Sequence, residues 1–171
     1  MDRYRIDPQQ SRVWIEAKSS LHPIHSESKG LEGFFEAEIL GGGRIDPTVP
    51  PRAHLEVPVD LLSSGNALYD KEMKRRVDIR RYPTITGDLT TMKETGRDHQ
   101  YLVEGDLSFK GTTRRYEDEM TLSFPDDGSL TLEGQHTFDI RDFGMEPPKI
   151  LMLKVHPDVA VRVKIVAKQE S

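Results

Sequence analysis

The fold is decided by the stretch Leu130-Thr131-Leu132-Glu133-Gly134-Gln135-His136-Thr137-Phe138-Asp139-Ile140, which alternates between two kinds of side chain. Its even-numbered residues are apolar or small apart from His136, and its odd-numbered residues are polar. Successive side chains of a β-strand point to opposite faces of the sheet. The stretch therefore predicts a strand with one face in the protein interior and the other in water.

The same alternation recurs along the chain and predicts eight strands in all. They cover residues 12–18, 35–39, 52–60, 85–90, 101–109, 120–124, 130–140 and 159–165. Turn-forming residues such as Gly41-Gly42-Gly43 and Asp126-Asp127-Gly128-Ser129 separate several of them. Short connections indicate antiparallel neighbours, because parallel strands need long crossovers.

One stretch, residues 66–79, has helical spacing instead. Tyr69, Met73 and Val77 recur every fourth residue, and Ser64, Asn66 and Asp70 are residue types that start helices. We predict one short helical segment here, between the fourth and fifth strands.

Eight amphipathic antiparallel strands favour a closed barrel, since closure removes the exposed sheet edges and turns the apolar face inward. We therefore predict an all-β protein, an eight-stranded antiparallel lipocalin-like β-barrel with the short helical segment beside it. Residues 1–171 are expected to form this single domain. A sandwich of two sheets has the same alternation and remains the alternative.

Composition excludes several classes of function. The 29 acidic and 24 basic residues leave a net charge of −5, which argues against nucleic-acid binding because that needs a basic surface. The chain has no cysteine, so disulfides, thiolate nucleophiles and cysteine-based zinc sites are excluded. The first residues carry no apolar signal segment, so we expect a cytoplasmic protein with at most peripheral membrane contact.

The function depends on whether the barrel is filled by its own side chains or encloses a cavity, since both occur at eight strands. Small residues at predicted inward positions favour a cavity; they are Ala17, Ala37, Ala53, Gly87, Gly105 and Gly134. An apolar stretch that follows Pro147-Pro148, Ile150-Leu151-Met152-Leu153, is a candidate rim for its mouth. A filled core, with a structural or interaction role, is the alternative.

From these positions we predict a set of ligand-binding residues. They are Val13, Ile15, Ala17, Phe35, Ala37, Leu55, Val57, Gly87, Leu89, Leu107, Phe109, Leu132, His136, Phe138 and Met152.

Several segments together resemble the YceI-like family of lipocalin-type polyisoprenoid-binding proteins. They are Tyr4-Arg5-Ile6-Asp7-Pro8 with Ser11-Arg12-Val13, then Ser64-Gly65-Asn66 with Asp70 and Met73, then Arg81-Tyr82-Pro83-Thr84-Ile85, residues 103–114, Ile140-Arg141-Asp142-Phe143-Gly144 and residues 159–167. The resemblance implies an elongated barrel whose apolar interior binds a lipid or isoprenoid chain, without catalysis and often in a homodimer. Two departures, Ser19 where a histidine is usual and Gly87 where an aromatic is usual, imply a wider or differently polar cavity here.

The sequence gives less support to metal binding or to catalysis. His22 and His25 are spaced to share a metal ion, but they also fit an ordinary loop, and we predict no metal and no cofactor. Asp139, Asp142 and Glu146 beside His136 give no convergent acid–base arrangement and no nucleophile, so we predict no catalytic residue. An enzyme acting on a hydrophobic substrate, or a histidine-based metal-binding variant, remains the alternative.

Two features have open interpretations. His136 stands on an apolar face and is expected to bond either another protein group or the headgroup of a ligand. A basic stretch marks either a solvated helix face or a surface attracted to anionic lipids; it comprises Lys71, Lys74, Arg75, Arg76, Arg80 and Arg81.

Overall fold

The computed structural model describes residues 1–147, 149–150 and 152–170. Within these residues the chain forms thirteen strands, one α-helix and two 3₁₀ turns. In chain order they are β1 Asp2–Ile6, β2 Arg12–Ser19, β3 Pro23–Ser28, β4 Glu32–Ala37, β5 Ile39–Leu40, β6 Arg44–Ile45, β7 Arg52–Pro58, the turn Val59–Leu61, α1 Ala67–Val77, β8 Thr84–Glu94, β9 Gln100–Phe109, β10 Thr112–Ser123, β11 Ser129–Asp139, the turn Ile140–Phe143, β12 Lys149–Ile150 and β13 Leu153–Gln169. Among the helices described, none is both long enough and apolar enough to cross a membrane.

The sheet closes into a barrel of antiparallel strands in the order β1-β4-β7-β8-β9-β10-β11-β13. Pairing of Ile6 with Ala167 returns β13 to β1 and closes the ring. β1 pairs only with the last residues of β13. The hairpin of β2 and β3 lies beside the preceding part of β13, where β2 pairs with residues 155–164. The predicted eight-stranded barrel is confirmed, and the sandwich alternative is wrong because the sheet closes on itself.

The stretch that predicted the fold forms β11 as expected. Its inward row pairs with the inward row of β13, as in Leu132 with Ile165 and His136 with Val161. The strand ends at Asp139 because that carboxylate accepts a hydrogen bond from the backbone N–H of Arg141 and caps the 3₁₀ turn that follows.

Some strands were not predicted, and their composition explains why. β3 places Ile24, Ser26 and Ser28 in register with the inward row of β2, so two of its three inward residues are polar. The first half of β10 is also polar, and the strand begins at Thr112 rather than at residue 120. Tertiary pairing, not an apolar face, holds these segments in the sheet.

The helix was predicted correctly. The Asn66 side chain caps α1 by accepting hydrogen bonds from the backbone N–H groups of Leu68 and Tyr69. Val77, near the other end of α1, is buried in a cluster with Val59 and Met145. Phe109 and Ile140 pack against this cluster, so α1 covers one end of the barrel, which we call the helix end.

The opposite end, which we call the packed end, is filled by side chains. Its buried cluster comprises Tyr4, Phe35, Ala37, Ile45, Met92, Tyr101, Leu122, Leu130 and Ala167. The small hairpin of β5 and β6 adds to it, since the backbone N–H of Ile45 donates to the Tyr101 hydroxyl. Interior space is therefore left towards the helix end.

We expect Leu122→Ala to lower the free energy of unfolding by about 2–5 kcal/mol, because it opens a void in a packed core. Leu122 is 0% exposed at the packed end. Leu40→Ala is the control: Leu40 lies at the same end but is 43% exposed, and its loss should change stability by less than about 0.5 kcal/mol. Urea unfolding followed by circular dichroism measures both, and similar values for the two variants would contradict the packing described here.

A candidate ligand cavity inside the barrel

The inward side chains between the two ends are only half-buried. Leu55, Leu107, Leu132, Phe138 and Val163 all face the interior yet keep accessible surface. Inward residues that touch one another on all sides lose nearly all of their accessible surface. The barrel therefore has unfilled interior space in this region.

That space is a cavity of about 240 Å³. Residues of eight strands line it, and its wall is mainly aliphatic and aromatic. Eight of the predicted ligand-binding residues line it: Phe35, Leu55, Gly87, Leu89, Leu107, Leu132, His136 and Phe138. Gly87 contributes directly to the space, because a Cβ atom there would have Leu107 Cδ1 at 3.9 Å and Leu55 Cβ at 4.0 Å as its nearest neighbours.

The other predicted binding residues lie elsewhere. Val13 and Val57 are buried in a cluster with Ile6, Leu31 and Ile165, and Ala37 belongs to the packed end. Ala17 pairs with Val159 beyond the cavity wall, and Ile15 lines a separate depression along β2, β3, β11 and β13. Phe109 packs at the helix end, with its ring 6.1 Å from that of Phe143. Their part in ligand binding stays a prediction.

The predicted apolar rim lies partly outside the described residues, which do not include Pro148, Leu151 or the side chain of Ile150. Met152 stands at a turn with 83% of its surface exposed, and Leu153 is buried. Neither residue lines the cavity.

β10 contributes wall residues that were not predicted. Tyr116, Asp118 and Met120 line the cavity, and they fall on the inward row that continues to Leu122. The signal was present as spacing of two from the predicted part of the strand. The charged residues of the inward row itself, Arg114 and Asp118, hid the strand.

The barrel wall has a window between β10 and β11. Their ladder runs from Ser123 paired with Thr131 to Met120 paired with Gly134 and stops there. β9 stays paired with β10 as far as Thr112, and β11 stays paired with β13 as far as Asp139. The two strands therefore separate towards the helix end while each keeps its other neighbour.

Side chains span this window. Nδ1 of His136 lies 2.6 Å from Oδ2 of Asp118, so the protein itself supplies a partner for the histidine. The ring of Tyr116 meets the ring of Phe138 edge to face, with centroids 4.8 Å apart. The Tyr116 hydroxyl donates to Oδ2 of Asp142 at 3.3 Å. Side chains move more readily than a hydrogen-bonded ladder, so the window is the movable part of the wall.

The Tyr116 phenol stays protonated under ordinary conditions. Its burial raises its pKa to about 12, and the negative charge of Asp142 adds to the effect. The phenol is thus a hydrogen-bond donor in the wall and a poor source of a nucleophilic oxygen.

Outside the window, a second depression of about 690 Å³ lies along β2, β3, β11 and β13. Its lining is partly charged and includes Glu16, His25 and Arg162. Asp118 and His136 line both this depression and the cavity. The Asp118–His136 pair therefore lies where the apolar cavity meets a depression whose lining is partly polar and partly apolar.

The competing histidine site does not form a cluster. His22 Nδ1 lies 3.0 Å from the carbonyl oxygen of Pro23, and His25 Nδ1 lies 3.8 Å from Glu16. Among the residues that the structure describes, no group of three or more His, Asp or Glu side chains is placed to hold a metal ion. Asp139 pairs with Arg141 at 2.7 Å, away from His136.

The sequence model of the YceI-like domain matches residues 4–167. The chain belongs to the YceI-like family. Among curated proteins, none is similar enough in sequence to count as a relative.

Solved structures share the YceI-like fold at low sequence identity. The crystal structure of Burkholderia cenocepacia BcnA is 18% identical, with a TM-score of 0.78 over 95% of this chain and 99% of that one. A polyisoprenoid binding domain from Saccharophagus degradans is 13% identical, with a TM-score of 0.79 over 98% of each chain. The Campylobacter jejuni YceI protein is 13% identical, with a TM-score of 0.58 over 80% of this chain and 81% of that one.

On the outer side of this YceI-like barrel, His54 joins two wall strands. Its Nδ1 lies 2.6 Å from Oδ1 of Asp88 on β8, and its Nε2 lies 3.2 Å from Oε1 of Glu56. The hydrogen bond with Asp88 is the main cause that raises the pKa of His54, and Glu56 adds to it, while partial burial acts in the opposite direction. The folded protein therefore holds the charged imidazolium more strongly than the unfolded chain does.

A raised pKa in the folded state stabilises the protein fully below the unfolded pKa of about 6.5, and the effect is lost as the pH rises through the folded pKa. We expect His54→Gln to lower the free energy of unfolding at pH 6 by on the order of 0.5 kcal/mol, and by less at pH 9. Urea unfolding at the two pH values measures this. His156→Gln, at an exposed position, is the control, and an equal loss for His54→Gln at both pH values would contradict the assignment.

Proposed function

We propose that this YceI-like protein binds and carries a lipid-like amphiphile, with an apolar part of the molecule inside the barrel, and that it does so without catalysis. The observation that carries the proposal is the unfilled apolar cavity between the packed end and the window. Burial of apolar surface suffices to bind such a ligand, since each CH₂ group removed from water contributes about 0.8 kcal/mol.

The size of the cavity limits what it encloses. Its 240 Å³ lies below the range of about 300–1,000 Å³ typical of sites that enclose drug-sized molecules. A short segment of chain fills it, and the packed end stops a longer chain from passing through. The remainder of a long ligand leaves by the window, where the side chains can move aside.

The outer depression suits the polar part of the same ligand. It meets the cavity at Asp118 and His136 and carries both charged signs, with Glu16 and Arg162 in its lining. With its tail in the cavity and its head in the depression, the ligand would place its apolar groups against apolar side chains and its polar groups against polar ones. This division favours an amphiphile over a pure hydrocarbon.

The comparisons support a lipid-like ligand in a general way. The Saccharophagus degradans structure of the same fold is described as a polyisoprenoid binding domain. We propose a polyisoprenoid or another lipid of that type for this chain. Cytoplasmic localisation and a homodimer stay predictions.

Catalysis is the alternative, and the Asp118–His136 pair is the feature that would favour it. A histidine beside a carboxylate is an arrangement that activates nucleophiles or moves protons. The neighbouring Tyr116 hydroxyl donates to Asp142 and has a raised pKa, so it is not activated by the pair. We therefore assign the pair to the ligand headgroup.

Filling the cavity should abolish ligand binding in a folded protein. Gly87→Phe places a ring between Leu55 and Leu107, where the backbone accepts a side chain and where an aromatic residue suits a strand. We expect at least about tenfold weaker binding of a fluorescent alkyl probe, the loss expected when a few CH₂ groups can no longer be buried. Thr90→Phe, at an exposed position of the same strand, should bind as the wild type does. Unchanged affinity in folded Gly87→Phe would refute the cavity as the binding site.

Removing the histidine of the window should weaken amphiphile binding without unfolding the barrel. We expect His136→Ala to lower the affinity for a long-chain alkyl phosphate about tenfold, the size of one hydrogen bond to a charged group. The affinity for the uncharged alcohol of the same chain should change less. Isothermal titration calorimetry measures both, with His156→Ala as the control. Equal losses for the two ligands would show that His136 does not contact the head.

A further inference from the structure

The exposed large apolar side chains are concentrated at one end of the molecule. Among the described residues, five of seven lie at or beside the helix end: Leu21, Leu61, Leu68, Met73 and Met152. The other two, Met1 and Leu40, lie towards the packed end. Leu21, Leu68 and Met152 are 77%, 62% and 83% exposed, so they project into solvent and do not fill gaps between elements.

Hydrogen bonds bring the projecting residues into one surface. Leu21 stands in the turn between β2 and β3, where the backbone N–H of Ser20 donates to the Lys154 carbonyl at 2.9 Å. That bond joins this turn to the start of β13, which directly follows the turn residue Met152. On its other side, the imidazole of His22 stacks on the ring of Tyr69 in α1, with centroids 6.4 Å apart. Two hairpin tips and the first turn of α1 are therefore neighbours, and we call their outward side the docking surface.

The charge at this end differs from that of the whole protein. Residues 67–82 carry six basic and three acidic side chains, within a chain whose net charge is −5. Lys71 and Arg75 follow Leu68 by three and seven residues, so they share its face of the helix. Glu72 pairs with both Arg75 and Arg76, and Lys74 pairs with Asp60 outside the helix. The remaining basic side chains leave a smaller excess of positive charge around the apolar side chains.

We propose that the docking surface binds the surface of an anionic lipid bilayer, with Leu21, Leu68 and Met152 in the headgroup region and the basic side chains of α1 facing the lipid phosphates. Protruding apolar side chains ringed by lysine and arginine are typical of proteins that lie on membranes. A protein partner is less suited to this surface, because its apolar groups stand on separate projecting tips and do not line one groove or patch.

The test uses sedimentation with vesicles of phosphatidylcholine alone and of phosphatidylcholine mixed with phosphatidylglycerol. The wild-type protein should sediment with the mixed vesicles more than with the neutral ones, and added salt should reduce the difference. Leu21→Ser with Met152→Ser should lower the partition coefficient about tenfold, since both side chains leave the apolar interface. Lys71→Glu with Arg80→Glu should remove the preference for the anionic vesicles.

Matched controls lie at the opposite end of the barrel. Leu40→Ser removes an exposed apolar side chain there, and Lys93→Glu reverses an exposed charge on β8. Both should sediment as the wild type does. Equal losses for Leu40→Ser and the double serine variant would overturn the proposal.

Two further outcomes are decisive. Failure of the wild-type protein to sediment with anionic vesicles overturns the proposal, and a dimer that the double serine variant dissociates would assign the surface to a protein contact instead. Gly87→Phe, altered only inside the barrel, should still bind vesicles. Its result separates docking from ligand binding in the cavity.

Discussion

The whole structure depends on the pairing of one long strand along both of its edges. β13 pairs with β11 on one side and with β2 and β1 in succession on the other. This pairing turns an open sheet into a ring with one enclosed face. The apolar rows of the strands then need no second layer to cover them, because they face one another.

Closure by itself does not create a cavity; the uneven filling of the ring does. At the packed end, large side chains such as Tyr4, Phe35 and Tyr101 pack into one buried cluster. Further along, Ala53, Gly87 and Gly105 occupy wall positions, and the opposing side chains do not reach one another. The separation of β10 from β11 in the same region then connects the interior with the polar depression outside.

Much of the fold was predictable because the alternation of apolar and polar residues directly indicates a strand with one buried and one exposed face. The stretch from residue 130 to 140 became β11 with its inward row as expected, and Asn66 caps α1 as its side chain predicted. The cavity was predictable in part, since small inward residues such as Gly87 are visible in the sequence. β3 and the first half of β10 were missed because their polar inward residues do not alternate with apolar ones.

The sequence by itself determined the all-β class, the antiparallel pairing of neighbouring strands, the helix and the family, because these depend on local spacing and on residue types. Only the tertiary structure decided which small residues border empty space and which are packed. It also decided that Asp118 meets His136 and that a window opens beside them. Those features depend on how far facing strands lie apart and on which side chains meet across the ring. The pattern of a single strand encodes neither of these.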